Sequence, residues 1–227
     1  MLLSFCGRLV SANDKLQIMP KPEDLNYENG YELVKELRHD DIVEFVLSQI
    51  KQLRWPMVLF YGLNLILLFL IGAFTAGNIV HLYISWGLYW QFLAYGLIAG
   101  MILIIPIHEL LHGMAYKLAG APKVKFGADL RQMMFYASAP GFVAEKYAFY
   151  VVAFTPFILI SLLFISGIVY GSMHVQWGSL VALFIHSTMC IGDFAMVNFF
   201  ASFPGKEVYT YDDKQEKTSY FFLKKVQ

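Results

Sequence analysis

Two long stretches of this chain carry almost no charge, and that constrains the fold more than any motif does. From Trp55 to Tyr116 the one formally charged side chain is Glu109, and from Tyr147 to Gly205 it is Asp193. A helix needs about 20 apolar residues to cross roughly 30 Å of hydrocarbon, so each block has room for two crossings. Inside a bilayer the backbone must satisfy its own hydrogen bonds, and continuous apolar runs do this as helices. The expected fold is therefore an all-α integral membrane protein with four transmembrane helices, at 57–77, 89–118, 148–170 and 178–203. Composition agrees. Charged residues make up 15% of the chain, against about 25% in an average soluble domain.

Charge also sets the expected orientation. The connectors 78–88 and 171–177 hold no Lys or Arg. Basic residues collect at Lys51 and Arg54, at Lys117, Lys123, Lys125, Arg131 and Lys146, and at Lys206, Lys214 and Lys217. The positive-inside rule then places both termini and the middle loop of this multi-pass cell-membrane protein in the cytoplasm. The domain division is a cytoplasmic segment 1–54, a membrane domain 55–205 and a cytoplasmic tail 206–227. Seventeen basic residues balance seventeen acidic ones, and no basic tract suits a nucleic acid. Cys6 and Cys190 make no disulfide framework. Residues 1–12 lack a basic start and carry Arg8, so they do not read as a cleavable signal.

Small extramembrane elements complete the expectation. Residues 31–54 read as two short amphipathic helices, with Asp40 as an N-cap and Val43, Val46, Leu47, Ile50 and Leu53 as the apolar stripe. Segments 123–129 and 133–137 read as one β-hairpin, and 208–211 with 220–223 as another.

The chemistry concentrates in His108-Glu109-Leu110-Leu111-His112. Two imidazoles four residues apart share one helix face and can reach one metal ion. A glutamate beside the first can hold a metal-bound water and take its proton. Zinc needs a third protein ligand and an open position, for which Asp193, Glu145, His186 and Asp129 are the candidates. Depth favours Asp193. The motif lies roughly 10–15 Å below the cytoplasmic boundary, and Asp193, eleven residues before Pro204, roughly 16 Å from the same side. Glu145 and Asp129 fall in the charged cytoplasmic segment. His186 lies two turns before Asp193 on one face, as a supporting group or substrate contact, with Cys190 between them. Asn198 reads as an interhelical hydrogen-bond donor or acceptor. Pro106 predicts a kink before His108, Gly113 and Gly192 a close approach of the two helices, and Gly96 with Gly100 a packing face.

On these residues the chain resembles the site-2-protease-like intramembrane zinc metalloproteases, and more closely a bacterial family of zincin-type membrane peptidases. The resemblance covers roughly 55–203. It rests on the His108–His112 motif followed by Gly113, the hairpin-like loop, an intervening span, and Gly192-Asp193. It implies one zinc ion per chain held by His108, His112 and Asp193, Glu109 as general base, and a membrane protein or peptide as substrate. The segment 123–137 would pair with an unwound substrate backbone. The chain departs from the site-2 pattern in its Gly-Asp order, with His186-Ser187 upstream. Two other readings share these residues: a zinc hydrolase of a lipid or other amphiphile, and a non-catalytic metal-binding scaffold.

Overall fold

The computed structural model describes residues 20–80, 86–99, 103–129, 134–213 and 216–225. The amino-terminal stretch with Cys6, and the positions of Gly100, Arg131 and Lys214, lie outside the described residues.

Seven α-helices are described: α1 Ile42–Ile50, α2 Trp55–Val80, α3 Trp86–Ala99, α4 Ile105–Leu118, α5 Lys146–Tyr170, α6 Met173–Met189 and α7 Ile191–Phe200. Two are long and apolar enough to cross a membrane, over Trp55–Asn78 and Lys146–Tyr170. Both are uninterrupted apolar runs; Pro56 falls in the first turn of α2, where a missing N–H costs nothing. Large apolar side chains point outward from them, including Phe69 (73% exposed) and Leu163 (65%), as a lipid-facing surface requires. α6 and α7 form a third crossing if taken together, bent by 45° at Cys190.

The count of four expected spans is thus reached only in part. The second expected span is described as two 14-residue helices, α3 and α4, each about 21 Å long. A π-helical turn at Leu103–Ile104 leads into α4, and Pro106, where the kink is expected, sits in its first turn.

The extramembrane part contains more β-structure than expected. Strands β1 Tyr31–Arg38, β4 Ala144–Glu145, β5 Val208–Asp213 and β6 Thr218–Lys224 form an antiparallel sheet in the order β1-β6-β5-β4. The hairpin β2 Lys125–Asp129 with β3 Met134–Ser138 stands apart as a two-stranded sheet. Both expected hairpins are present. The first of the two expected amphipathic helices is not: it is β1, paired with β6. A register shift between Leu33 and Lys35 explains the misleading period. It adds one residue, so the inward-facing Val34 and Leu37 stand three apart, as on a helix. The cap also shifts. Asp41 precedes α1, its carboxylate turned to Arg38 at 2.9 Å, while Asp40 lies in the preceding 3-10 turn.

The core where sheet and helices meet holds Leu37, Phe45, Phe200, Val208 and Phe221. Phe200, Val208 and Phe221 are fully buried, each contributing about 1.5–3 kcal/mol. A second cluster, Met57, Phe60, Cys190 and Phe194, packs α2 against the α6–α7 bend. Between them lies Asn198, also fully buried. Its amide donates to the carbonyls of Gln49 (3.3 Å) and Gln52 (3.0 Å), while the Tyr61 hydroxyl donates to that of Ile50 (3.0 Å). The carbonyls at the end of α1, which have no helical partner, are thereby tied to α7 and α2. This fastens α1 beside the His108–His112 helix.

Candidate metal centre

α4 presents His108, Glu109 and His112 towards α7, which carries Asp193 in its first turn. There the positive end of the helix dipole favours a carboxylate. The 45° bend before α7 turns this end inward. His108 Nε2 lies 3.2 Å from Asp193 Oδ2, and His112 Nε2 lies 3.2 Å from Asp193 Oδ1. Both histidines are buried. Their other nitrogens are also engaged. His112 Nδ1 lies 3.0 Å from the Val152 carbonyl on α5, and His108 Nδ1 lies 3.3 Å from His186 Nε2 on α6.

Proton bookkeeping leaves two ways to satisfy His112: an imidazolium donating at both nitrogens, or a cation beside a neutral ring. A neutral imidazole has one N–H and one lone pair. His112 faces an acceptor at each nitrogen, the Val152 carbonyl and the Asp193 carboxylate. With the N–H on Nδ1 donating to Val152, the lone pair on Nε2 would meet a carboxylate oxygen at 3.2 Å. A metal ion between them turns that repulsion into two ligand bonds, and the Nδ1–H bond then fixes the tautomer. Metal–ligand bonds of about 2.0–2.1 Å separate tetrahedral ligand atoms by roughly 3.3 Å, close to the two nitrogen–oxygen distances, one to each oxygen of Asp193. Zinc suits two imidazoles and one carboxylate.

The free carbonyl of Val152 has its own cause in the sequence. Within α5 it would bond to the N–H four residues on, and that residue is Pro156, which has none. Pro156 is fully buried inside the helix. It releases a backbone acceptor at the height of His112. Pro156 is visible in the sequence, but the ring that meets the Val152 carbonyl lies 40 positions before Val152 and could not be read there.

Glu109 Oε2 is buried and has no hydrogen-bond partner among the described residues, while the backbone of Ala137 on β3 reaches the same carboxylate. Ligand atoms of His108, Glu109 and His112 lie within 4.8 Å of one another. Two cavities meet at this point. One, of about 730 Å³, runs from Glu109, His112 and Asp193 past Tyr136 and Ala137 to the four-stranded sheet. The other, of about 490 Å³, lies between the apolar face of α1 (Ile42, Val46, Ile50) and the site.

Other expected residues fall elsewhere. Asp129 lines the larger cavity at the end of β2, and Glu145 pairs with Tyr209 in the sheet. His186 is fully buried behind His108 and lines neither cavity. The two glycines do not bring α4 and α7 together. A Cβ at Gly113 would come within 2.5 Å of the Phe126 ring, so this glycine seats the hairpin on α4. Gly192 meets nothing within 4 Å and opens onto both cavities.

No curated protein and no solved structure matches the chain. Residues 101–208, which contain the α4 motif, the hairpin, Pro156, His186 and Asp193, match the sequence model of the family described as "Putative zincin peptidase".

Proposed function

We propose that this protein is a membrane-embedded zinc metallopeptidase of site-2-protease-like type, cutting peptide bonds in or beside membrane-spanning segments. The observation that carries the reading is the convergence of two imidazole nitrogens on one carboxylate at 3.2 Å, beside the partnerless Glu109 oxygen. His108, His112 and Asp193 would hold one zinc ion, which supplies a polarised, acidified water and a Lewis acid for the scissile carbonyl. Glu109 takes the water's proton and passes it to the leaving amine. Val152 holds the His112 ring, and the larger cavity gives water its route. The basic loops favour the cytoplasmic side for this chemistry, with four crossings if α3 with α4, and α6 with α7, each make one. The hairpin β2–β3 beside Glu109 would take up an unwound substrate as a further strand.

Purified protein should carry one zinc per chain, and Asp193→Ala should lose it. Glu109→Gln should keep zinc and lower turnover by at least about 100-fold. Comparative membrane proteomics of wild-type and Glu109→Gln cells should reveal an uncleaved membrane protein. Full zinc retention in Asp193→Ala defeats the ligand assignment, and full function of Glu109→Gln defeats the hydrolase. The apolar cavity under α1 favours a second reading, a zinc hydrolase of an amphiphile, which an altered lipid profile in the same cells would support.

A further inference from the structure

Behind the hydrolytic ligands lies a second convergence, on the opposite edge of the His108 ring. His186 and Cys190 stand four residues apart at the end of α6, on one helix face, and both are fully buried. His186 Nε2 lies 3.3 Å from His108 Nδ1, and Cys190 Sγ lies 3.6 Å from His186 Nε2 and 4.0 Å from His108 Nδ1. Bonds of about 2.0 Å to nitrogen and 2.3 Å to sulfur separate ligand atoms by roughly 3.3–3.8 Å at tetrahedral or trigonal angles. Two of the three separations fall in this range, and the third, 4.0 Å, closes to it with a small shift of the Cys190 side chain. Neither His186 nor Cys190 lines the cavities at Glu109, so they are placed for no contact with substrate.

We infer that His108 Nδ1, His186 Nε2 and Cys190 Sγ form a second metal site for a monovalent thiophilic ion of the cuprous class. Charge selects the class. One thiolate and two neutral imidazoles around a +1 ion sum to zero, the cheapest total to bury in a low-dielectric interior. A thiolate with imidazoles is also a soft ligand set. Loading releases the Cys190 thiol proton to water. The ion takes the His108 lone pair at Nδ1, so the ring proton sits on Nε2 and donates to Asp193 Oδ2. The two sites therefore exclude each other: a thiophilic ion withdraws His108 from zinc and silences hydrolysis. This exclusion rests on the zinc reading above; the second site itself does not.

Silver(I) is the redox-inert probe, and native mass spectrometry of the detergent-solubilised chain reads the stoichiometry. Wild-type protein should bind one silver ion and release its zinc. Asp193→Ala, without zinc, should still bind one silver ion, which keeps this test separate from the zinc assignment. Cys190→Ser and His186→Asn should each weaken silver binding by at least about tenfold, while Cys190→Ser keeps its zinc and so shows an intact fold. Silver binding by Cys190→Ser at wild-type strength, or its loss in Cys6→Ser, overturns the site. Silver and zinc bound together on one chain overturn the exclusion.

Discussion

At the scale of single residues, the candidate metal centre draws on a proline that is not itself one of its residues. Pro156 leaves the Val152 carbonyl without a helical partner, and the His112 ring takes it at 3.0 Å. Pro156→Ala restores an N–H that competes for that carbonyl. The helix itself should not suffer, because alanine is the better helix former. The His112 ring, however, loses the bond that fixes its tautomer and aim. Zinc affinity should fall about 10–100-fold, the usual cost of removing such a support. A chelator-competition titration measures this, with circular dichroism confirming unchanged helix content. Affinity equal to wild type would show that Val152 holds nothing. By contrast, the residues that the structure brings together, His108, His112 and Asp193 beside Glu109, were legible from spacing and charge alone. Polar groups in an apolar block need partners, and Asp193 is the acidic residue at matching depth. What orients those ligands is backbone and cross-helix, and it leaves no local trace.

At the scale of elements, α1 is the piece whose role sequence reading could only half supply. Of its expected stripe, Val43, Val46, Leu47 and Ile50 line the apolar cavity over the site, joined by Ile42, while Leu53 lies beyond the helix and is exposed. What fixes it there is Asn198, with donations to Gln49 and Gln52, and that pairing spans almost 150 residues. β1 reads as a helix for a related reason, since the register shift beside Val34 gives a strand a helix-like spacing and its partner β6 lies almost 190 residues further on. Asn198→Ala should strand buried carbonyls and cost about 1–3 kcal/mol, lowering the thermal midpoint. It should also loosen α1, so that a cysteine placed at Val46 reacts faster with a maleimide than in the Asn198 background. A Val46→Cys label rate unaffected by Asn198→Ala would mean that α1 is held by its apolar contacts alone.

At the scale of the whole molecule, the sheet joins segments from both ends of the chain into one layer, and the large cavity runs from the metal centre to it. Asp212 on β5 lines that cavity. Burial pushes its carboxyl above the ordinary value, against the lowering effects of the Ser219 hydroxyl, which donates to it at 2.7 Å, and of nearby His39. The sign follows from linkage. An acid with a raised pKa in the fold binds more protons folded than unfolded between its two pKa values, so stability falls as pH rises through that window. The window opens near the unfolded value of about 4. Asp212→Asn, which removes the titration, should therefore gain on wild type in thermal midpoint as pH is raised from about 4 towards neutrality. Taking the difference between the two proteins cancels the titration of the metal centre, which both share. A difference that moves the opposite way would show that the Asp212 carboxylate is ionised and stabilised in the fold. Phe221→Ala supplies the size reference, since emptying that fully buried position in the core shared by sheet and helices should cost about 3–5 kcal/mol at every pH.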